Sequence, residues 1–470
     1  MQSSKAKIAI IGGGIAGASV ALYLSQFDLE ITLFEKEPSL VNGPPMCHLH
    51  AGGNLYREID NKQCIKLLKQ SIELLHFYPY AIDFRPTLLV TPKDDKHEAD
   101  ELLNRLEILQ TEYQKLIDKD PKNKVLGESS NYYKLYTKED LEYLQKLEIK
   151  NQPSTLDEWL IPLAKELNYQ QIKFPIIMVQ EYGLNVFRIS ANTTLLLKEK
   201  NNVTLKTNTF IETINKENKS YLINNEKFDY LINAAGFRSG VIDDMLGFKR
   251  DRLVEFKAAY VTKWDQKEQF WPEVIFFGKR GTPQGMAQFT PYPNGYFQLH
   301  GMTQKITLFE DGLVKNTQNS SQPQLPKKLI EKIEYSWREE DVKQRTQEAI
   351  KHLARFIPSF SKAKVASKPL FGAQQIPGDD ATLRASEVSF EKERYARCEI
   401  VKASSILTMA DSITKKLIDE KLLDPNAYKK REFTNKLTSN EITKYAEKLC
   451  KERNYPSTLA YVNNGVRERI

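Results

Sequence analysis

Cysteine is scarce in this chain. Its 470 residues hold four, Cys47, Cys64, Cys398 and Cys450, far apart and without the paired spacing of a metal site. That argues against a disulfide framework or a cysteine zinc centre and fits free thiols in a reducing compartment. Long apolar runs are missing too: none approaches the ~18–20 residues of a membrane span. Met1 to Lys7 carries no apolar stretch of the secretory type, so no signal is expected there. No internal repeat is evident.

The length exceeds the ~250–300 residues at which one core stops growing, so at least two cores are expected. The formal net charge is +7, and from Asp411 onward 13 Lys and Arg face 9 Asp and Glu, so more than half of the excess sits in the tail. A solvated helical face is the plain reading of that tail. An anionic membrane surface or nucleic acid is the alternative.

The strongest positive feature is Lys7-Ile-Ala-Ile-Ile-Gly-Gly-Gly-Ile-Ala-Gly17, followed by a helical run and Glu30-Ile-Thr-Leu-Phe-Glu35. Ile8 to Ile11 read as a buried parallel strand, and Gly12, Gly14 and Gly17 occupy the glycine places of G-x-G-x-x-G. Gly12 permits the turn, Gly14 the approach of a pyrophosphate, and Gly17 close packing of the helix Ile15 to Ser25. The free N–H groups of that helix, from Ile15 and Ala16 on, would face the phosphates. Glu35, with Lys36 beside it, ends the second strand at about the 20-residue spacing of a carboxylate that binds ribose hydroxyls. Strand, helix, strand and acid in register imply a bound dinucleotide.

Ser39 to Ile59 is rich in Gly and Pro and contains Met46-Cys-His-Leu-His-Ala-Gly-Gly-Asn-Leu-Tyr-Arg57. With the opening βαβ unit, this resembles the D-amino-acid-oxidase-like superfamily of FAD-dependent oxidoreductases, nearest to the L-2-hydroxyglutarate, malate:quinone and dimethylglycine enzymes. The resemblance implies FAD as cofactor and an α/β fold, a Rossmann-like FAD-binding domain interleaved with an α+β substrate domain, plus a helical C-terminal extension. In the family the His-Ala-Gly-like loop, here His50, Ala51 and Gly52, passes the flavin ring.

Two later segments extend the resemblance. Phe228-Asp-Tyr-Leu-Ile-Asn-Ala-Ala-Gly-Phe-Arg238 resembles the second FAD signature, with Ala235 and Gly236 against the cofactor. Glu399 to Asp411 stands where the family has a glycine-rich turn opening a helix toward flavin O2, but this chain has Lys402-Ala-Ser-Ser405. There Ser404 would cap the helix, Ser405 would follow it, and Lys402 would bring positive charge to O2.

The expected organisation is FAD segment 1 at 1–92, a charged helical insertion or cap at 93–170, FAD segment 2 at 171–254, a substrate domain at 255–370, FAD segment 3 at 371–412 and a basic helical extension at 413–470. Short strands are expected near Val203 to Leu205, Phe210 to Thr213 and Tyr221 to Ile223. Another three, Ala258 to Thr262, Glu273 to Phe277 and Met286 to Gly301, make a sheet over the flavin, with Tyr292-Pro-Asn-Gly-Tyr296 as a hairpin turn.

A flavin accepts hydride at N5, so the protein must supply a base and a carboxylate anchor. His50 is the leading base, because its pKa range matches the task. By resemblance to the dimethylglycine branch it could instead be a covalent flavin tether, and His48, its neighbour but one, could take either place. Arg57, Arg188, Arg238 and Arg384 are candidate anchors. Tyr56, Tyr292, Tyr296 and His300 could wall the pocket.

The reading is oxidation of the C–OH or C–NH of a small organic acid, a 2-hydroxy acid ahead of an amine or amino acid. Quinone or oxygen takes the electrons, in the cytoplasm or at the inner face of a membrane. Two alternatives come from other classes: a flavoprotein that modifies transfer RNA and a non-catalytic flavin-binding protein. No basic stripe interleaved with aromatics accompanies the cofactor segments, which argues against nucleic acid. All three cofactor segments are present, which argues against a mere scaffold.

Overall fold

The computed structural model describes residues 5–265, 269–384, 386–392, 394–426 and 435–463. β1 (Ala6–Ile11), α1 (Ile15–Leu24) and β2 (Leu29–Phe34) form the expected βαβ unit. β1 lies at the centre of a six-stranded sheet, parallel to β2 on one side and to Tyr230–Asn233 on the other. Val203–Lys206 extends it beyond β2. Tyr395–Cys398 and the antiparallel Val388–Glu391 extend it at the opposite edge.

The continuous apolar run of β1 follows from burial on both faces. Ile8 and Ile10 join a core built with α1 and its neighbouring helices. Ala9 and Ile11 join a second core with Tyr221, Ile223 and Phe228, whose strands belong to a small antiparallel sheet. Phe210 to Thr213, expected as a strand, is irregular. Thr209 donates its N–H to the Glu35 carbonyl there, and no strand pairs with the segment.

The second sheet has ten strands. Its centre is β3 (Arg252–Lys263), with β4 (Glu273–Phe276), β5 (Ala287–Tyr292) and β6 (Tyr296–Gly301) on one side, and β7 (Leu370–Pro377) antiparallel to its first half. The hairpin between β5 and β6 turns at Asn294 and Gly295, both at positive φ (59° and 73°). The strand Tyr133–Tyr136 joins this sheet's edge by pairing with Ile176–Val179, although it comes from the segment expected as a helical insertion.

Strand alternation divides this sheet's two faces. Val254, Phe256, Ala258, Val274, Phe276, Phe289, Phe297 and Leu299 all enter one aromatic-rich core. The intervening residues, Glu255, Lys257, Glu273, Gln288, Gln298 and His300, therefore point the other way, toward the Rossmann sheet. One face is an apolar core and the other is polar enough to line a site.

Helices of the C-terminal half close the Rossmann side. α4 (Ile406–Asp419) packs on α1 and α2 (Asn61–Phe77), and α5 (Ser439–Glu452) packs on α3 (Val186–Lys198). Arg453, just past α5, donates to the carbonyls of Leu40 and Val41 and to Ser39 and Ser190. The described part of the expected basic extension is thus bound into the FAD-binding half. The rest of that tail, 427–434 and 464–470, lies outside the described residues. Among the described residues no helix is long and apolar enough to cross a membrane.

Candidate functional site

A cavity of about 1090 Å³ runs from the Gly12–Ala16 turn to the polar face of the large sheet. That is slightly more than small-molecule sites, which span roughly 300–1,000 Å³, and has room for a dinucleotide and a second small molecule.

At the nucleotide end the residues fit FAD. Gly12 has φ +103°, and a Cβ there would collide with the Ala234 carbonyl, so only glycine holds the turn. A Cβ on Gly14 would meet nothing within 4 Å. Its open side is the cavity, the space a phosphate needs. No side chain caps the N-terminus of α1, which leaves its first N–H groups to serve an anion. Gly17 packs against the Gly12 carbonyl and does not line the cavity.

Glu35 is buried beside this turn. Its carboxylate accepts the N–H groups of Gly13 (2.6 Å) and Glu37 (2.8 Å). A carboxylate accepts about four bonds, so capacity remains for ribose hydroxyls. Burial raises its pKa above the ordinary range while those N–H donors and Lys36 oppose the rise. Lys36, Ala235 and Gly236 line the same end, and Arg238 joins them through an ion pair with Glu334.

The other end is built on the His loop. Leu49 donates its N–H to the Tyr182 carbonyl, and Leu184 donates to that of Cys47, so the loop is held as an irregular strand with His48 paired to Gly183. Alternation then sends His48 inward. Its Nδ1 is 3.0 Å from Glu273 and its Nε2 is 3.7 Å from Glu181. Arg85 binds the second oxygen of Glu273, and Gln288 and Thr290 (3.2 Å) complete its shell. Burial opposes charge on His48, but Cys47 and Glu273 outweigh it and hold the imidazolium well above the ordinary range. Arg85 and His48 together hold the Glu273 carboxyl well below its own, against burial.

His50 behaves oppositely. At φ +60° it turns into the cavity, its ring centroid 4.0 Å from that of His48 and 5.3 Å from that of Tyr56. Burial first, then Lys402, His48 and Arg384, hold its pKa well below the ordinary value. Its Nε2 lies 3.5 Å from Lys402 Nζ, and its Nδ1 has no partner among the described residues. His300, pushed down to about 4 mainly by burial, accepts from Gln298 (2.9 Å) and also leaves Nδ1 without a partner there. Two neutral imidazoles thus face the cavity.

Cations surround them. Lys402 donates to the Tyr56 hydroxyl, and Arg384 lies 4.9 Å over the Tyr56 ring. Lys257 and Arg280 also line this end, as do Arg453 and Tyr455 from beyond α5. Lys257, Arg280, Arg453 and Tyr455 were not legible as site residues. A signal for Lys257 existed in the polar phase of β3, but the other three reach the cavity only through tertiary packing.

Several expected residues lie elsewhere. Arg57 stacks on Phe277 (3.8 Å) and pairs with Asp95 (3.0 Å), outside the cavity lining. Arg188 is buried against Tyr80, Ser439, Thr443 and Ala460, where it docks the C-terminal segment. Tyr292 bonds Gln298 behind the wall, and Tyr296 lies off the lining as well. Ala51 and Gly52 are buried; Ala51 accepts from the Tyr132 hydroxyl, so they shape the loop from behind. Ser404 does not cap α4. It sits with Ser405 in a tight turn before the helix, and Ser405 donates to Gln70.

Two triads place ligand-type atoms within 4.8 Å of one another: Cys47, His48 and Glu273, and His48, His50 and Glu181. Sequence spacing hides both. Both share His48, and in the first Glu273 is already paired with Arg85.

Residues 7–139 match the family model described as DAO, FAD dependent oxidoreductase. No curated protein sequence matches the chain. Among solved structures, glycine oxidase from Geobacillus kaustophilus aligns with TM-score 0.55 at 11% identity, over 92% of this chain and 96% of that one. L-proline dehydrogenase from P. horikoshii aligns with TM-score 0.54 at 16% identity, over 89% and 94%. L-alpha-glycerophosphate oxidase from Mycoplasma pneumoniae, with FAD bound, gives 0.52 at 18%, over 93% and 98%. The family match, the fold and the nucleotide end of the cavity define the class: an FAD-dependent oxidoreductase with the D-amino-acid-oxidase-like fold. Its cofactor is FAD.

Proposed function

We propose that the protein oxidises the C–OH or C–NH bond of a small organic acid, with a 2-hydroxy acid as the first candidate. The observation that carries this reading is a neutral imidazole, its Nδ1 without a partner among the described residues, in one cavity with a guanidinium: His50 with Arg384. When bound, FAD supplies the hydride acceptor. The chain's own residues do the rest.

In this reading Arg384 holds the carboxylate in bidentate fashion. His50 takes the proton from the hydroxyl or amine, ready at neutral pH because its environment keeps it unprotonated. Lys402 and Tyr56 close the floor of the site beside it. His300 Nδ1 offers a second polar contact on the roof. His48 positions His50 and does not serve as its substitute, because both its ring nitrogens face carboxylates. The names of the structural neighbours include enzymes of amino acids and of glycerophosphate, which suits an acid substrate of either kind.

The test is anaerobic reduction of the purified protein's flavin by a panel of 2-hydroxy and amino acids. Bleaching by at least one acid, lost in Arg384→Met at equal concentration, is the expected result. Acid precipitation of the same sample releases the flavin to the supernatant if His50 is the base. A yellow pellet makes His50 the tether and overturns its assignment as base. Repeating turnover with oxygen or a soluble quinone tells which acceptor is used.

A further inference from the structure

We propose that the His loop carries a metal site, in which His48, His50 and Glu181 together hold one divalent transition-metal ion. The site rests on geometry; its effect on turnover rests on the reading above that His50 is the base.

Three atoms converge there. His48 Nε2, His50 Nδ1 and Glu181 Oε2 are each buried and each without a hydrogen-bond partner among the described residues. His48 is 3% exposed and Glu181 0%. A buried polar atom left unsatisfied is costly, and three such atoms in one place point to a shared ligand. Ligand-type atoms of the three residues lie within 4.8 Å of one another, and His48 Nε2 is 3.7 Å from Glu181 Oε2. That gap is too long for a hydrogen bond. It is close to what one ion needs, because with bonds of about 2.1 Å in a tetrahedral shell two ligand atoms sit about 3.4 Å apart.

The opposite ends of the same side chains are already held. His48 Nδ1 faces Glu273 at 3.0 Å, the carboxylate–histidine pairing that orients metal-binding imidazoles. Glu181 Oε1 accepts from the backbone N–H (3.2 Å) and the side-chain amide (2.8 Å) of Asn54. His50 Nε2 is the nitrogen beside Lys402, which leaves Nδ1 for the site. Each ligand atom is thus positioned from behind by partners that do not compete for it.

Charge favours a cation at this point. Arg85 answers Glu273, whereas no Lys or Arg lies within ion-pair distance of Glu181 among the described residues; its ion-pair neighbour there is His48. The proton that His48 carries on Nε2 meets the Glu181 charge, and a bound ion takes that proton's place. Two imidazoles and one carboxylate suit Zn²⁺ and its neighbours in the first transition row, whereas Mg²⁺ and Ca²⁺ prefer oxygen shells. A bound ion also takes the His50 lone pair on which proton abstraction depends. Metal and oxidation therefore exclude each other at this ring.

The experiment is calorimetric titration of the chelator-treated, flavin-loaded protein with Zn²⁺ and, separately, with Mg²⁺. One Zn²⁺ per chain should bind, with Mg²⁺ weaker by roughly a hundredfold or more. Glu181→Gln keeps the bond to Asn54 and should weaken Zn²⁺ by at least ~10-fold. If that variant fails to fold, X-ray absorption at the zinc edge of the unaltered protein makes the same test. It should show nitrogen and oxygen neighbours at about 2.0–2.2 Å, whereas a sulfur at about 2.3 Å would place the ion on Cys47 and overturn the proposal. Failure to take up one Zn²⁺ per chain also overturns it, making a bridging water the partner of the three atoms, and so does Zn²⁺ affinity unchanged in Glu181→Gln. The two readings fail separately. Zn²⁺ held by nitrogen and oxygen that leaves flavin reduction by the acid unslowed removes His50 as the base and keeps the metal site. Flavin reduction by an acid in a protein that takes up no Zn²⁺ removes the metal site and keeps the oxidation.

Discussion

Replacing Glu273 by Gln isolates the buried charge network beneath the His loop. The substitution keeps shape and volume, so cavity and packing costs are small. Among the described residues it removes the one charge that touches both Arg85 and His48, each of them buried. Asp83, 3.3 Å from Arg85 and raised mainly by burial to about 6, leaves the guanidinium a partial counter-charge, but no ion pair joins it to His48 among the described residues. Breaking one side of a buried ion pair costs about 3–5 kcal/mol, since the other side is left uncompensated. At roughly 2 °C per kcal/mol, the low end of the range for large domains, that lowers the melting temperature by about 6–10 °C. The assay is thermal unfolding followed by circular dichroism, with and without added FAD, read at the first transition because the chain has more than one core. The double variant Arg85→Met/Glu273→Met should recover most of the loss, since it leaves no orphaned guanidinium. A fall of less than about 2 °C in Glu273→Gln would refute the view that Glu273 is the counter-charge of this network.

The two turn glycines should separate stability from binding: Gly14→Ala leaves the flavin-free melting temperature nearly unchanged and weakens FAD by at least ~10-fold, about 1.4 kcal/mol. Gly12→Ala, by contrast, costs about 1–3 kcal/mol of stability from its positive φ alone, measured in the same melts. Glu35→Gln should raise the FAD dissociation constant by ~5–30-fold, the loss of about 1–2 kcal/mol of hydrogen bonding, read by flavin fluorescence. Stability should fall at both pH extremes for opposite reasons. The Glu273 contribution is present above its ordinary pKa of 4.5 and is lost as pH falls through its depressed value. The His48 contribution is complete below 6.5 and is lost as pH rises through its raised value. His48→Asn should therefore flatten the alkaline side of a melting-temperature profile, and an unchanged alkaline slope counts against a charged His48.

Local patterns made the nucleotide end legible. The run from Lys7 to Gly17 and the acid at Glu35 specify strand, turn, helix and a buried carboxylate beside the turn within 30 residues, where the backbone itself dictates the spacing. The catalytic end was legible only in part. His50 and Lys402 are 352 positions apart in sequence, yet their side chains lie 3.5 Å apart. The loop suggested two interchangeable histidines, and packing made them opposites. His48 falls between two glutamates and is held above the ordinary imidazole range, whereas burial first, and then neighbouring cations, hold His50 below it. Arg57 and Arg188 looked as good as Arg384, because a guanidinium's partner is not written near it in sequence. Periodicity in β3 to β6 determined that one face is polar and the other apolar. That this polar face closes over the Rossmann turn, with Lys257 and Arg280 aimed into the gap, was decided by tertiary structure, since long-range docking of two sheets places charges that no local pattern relates.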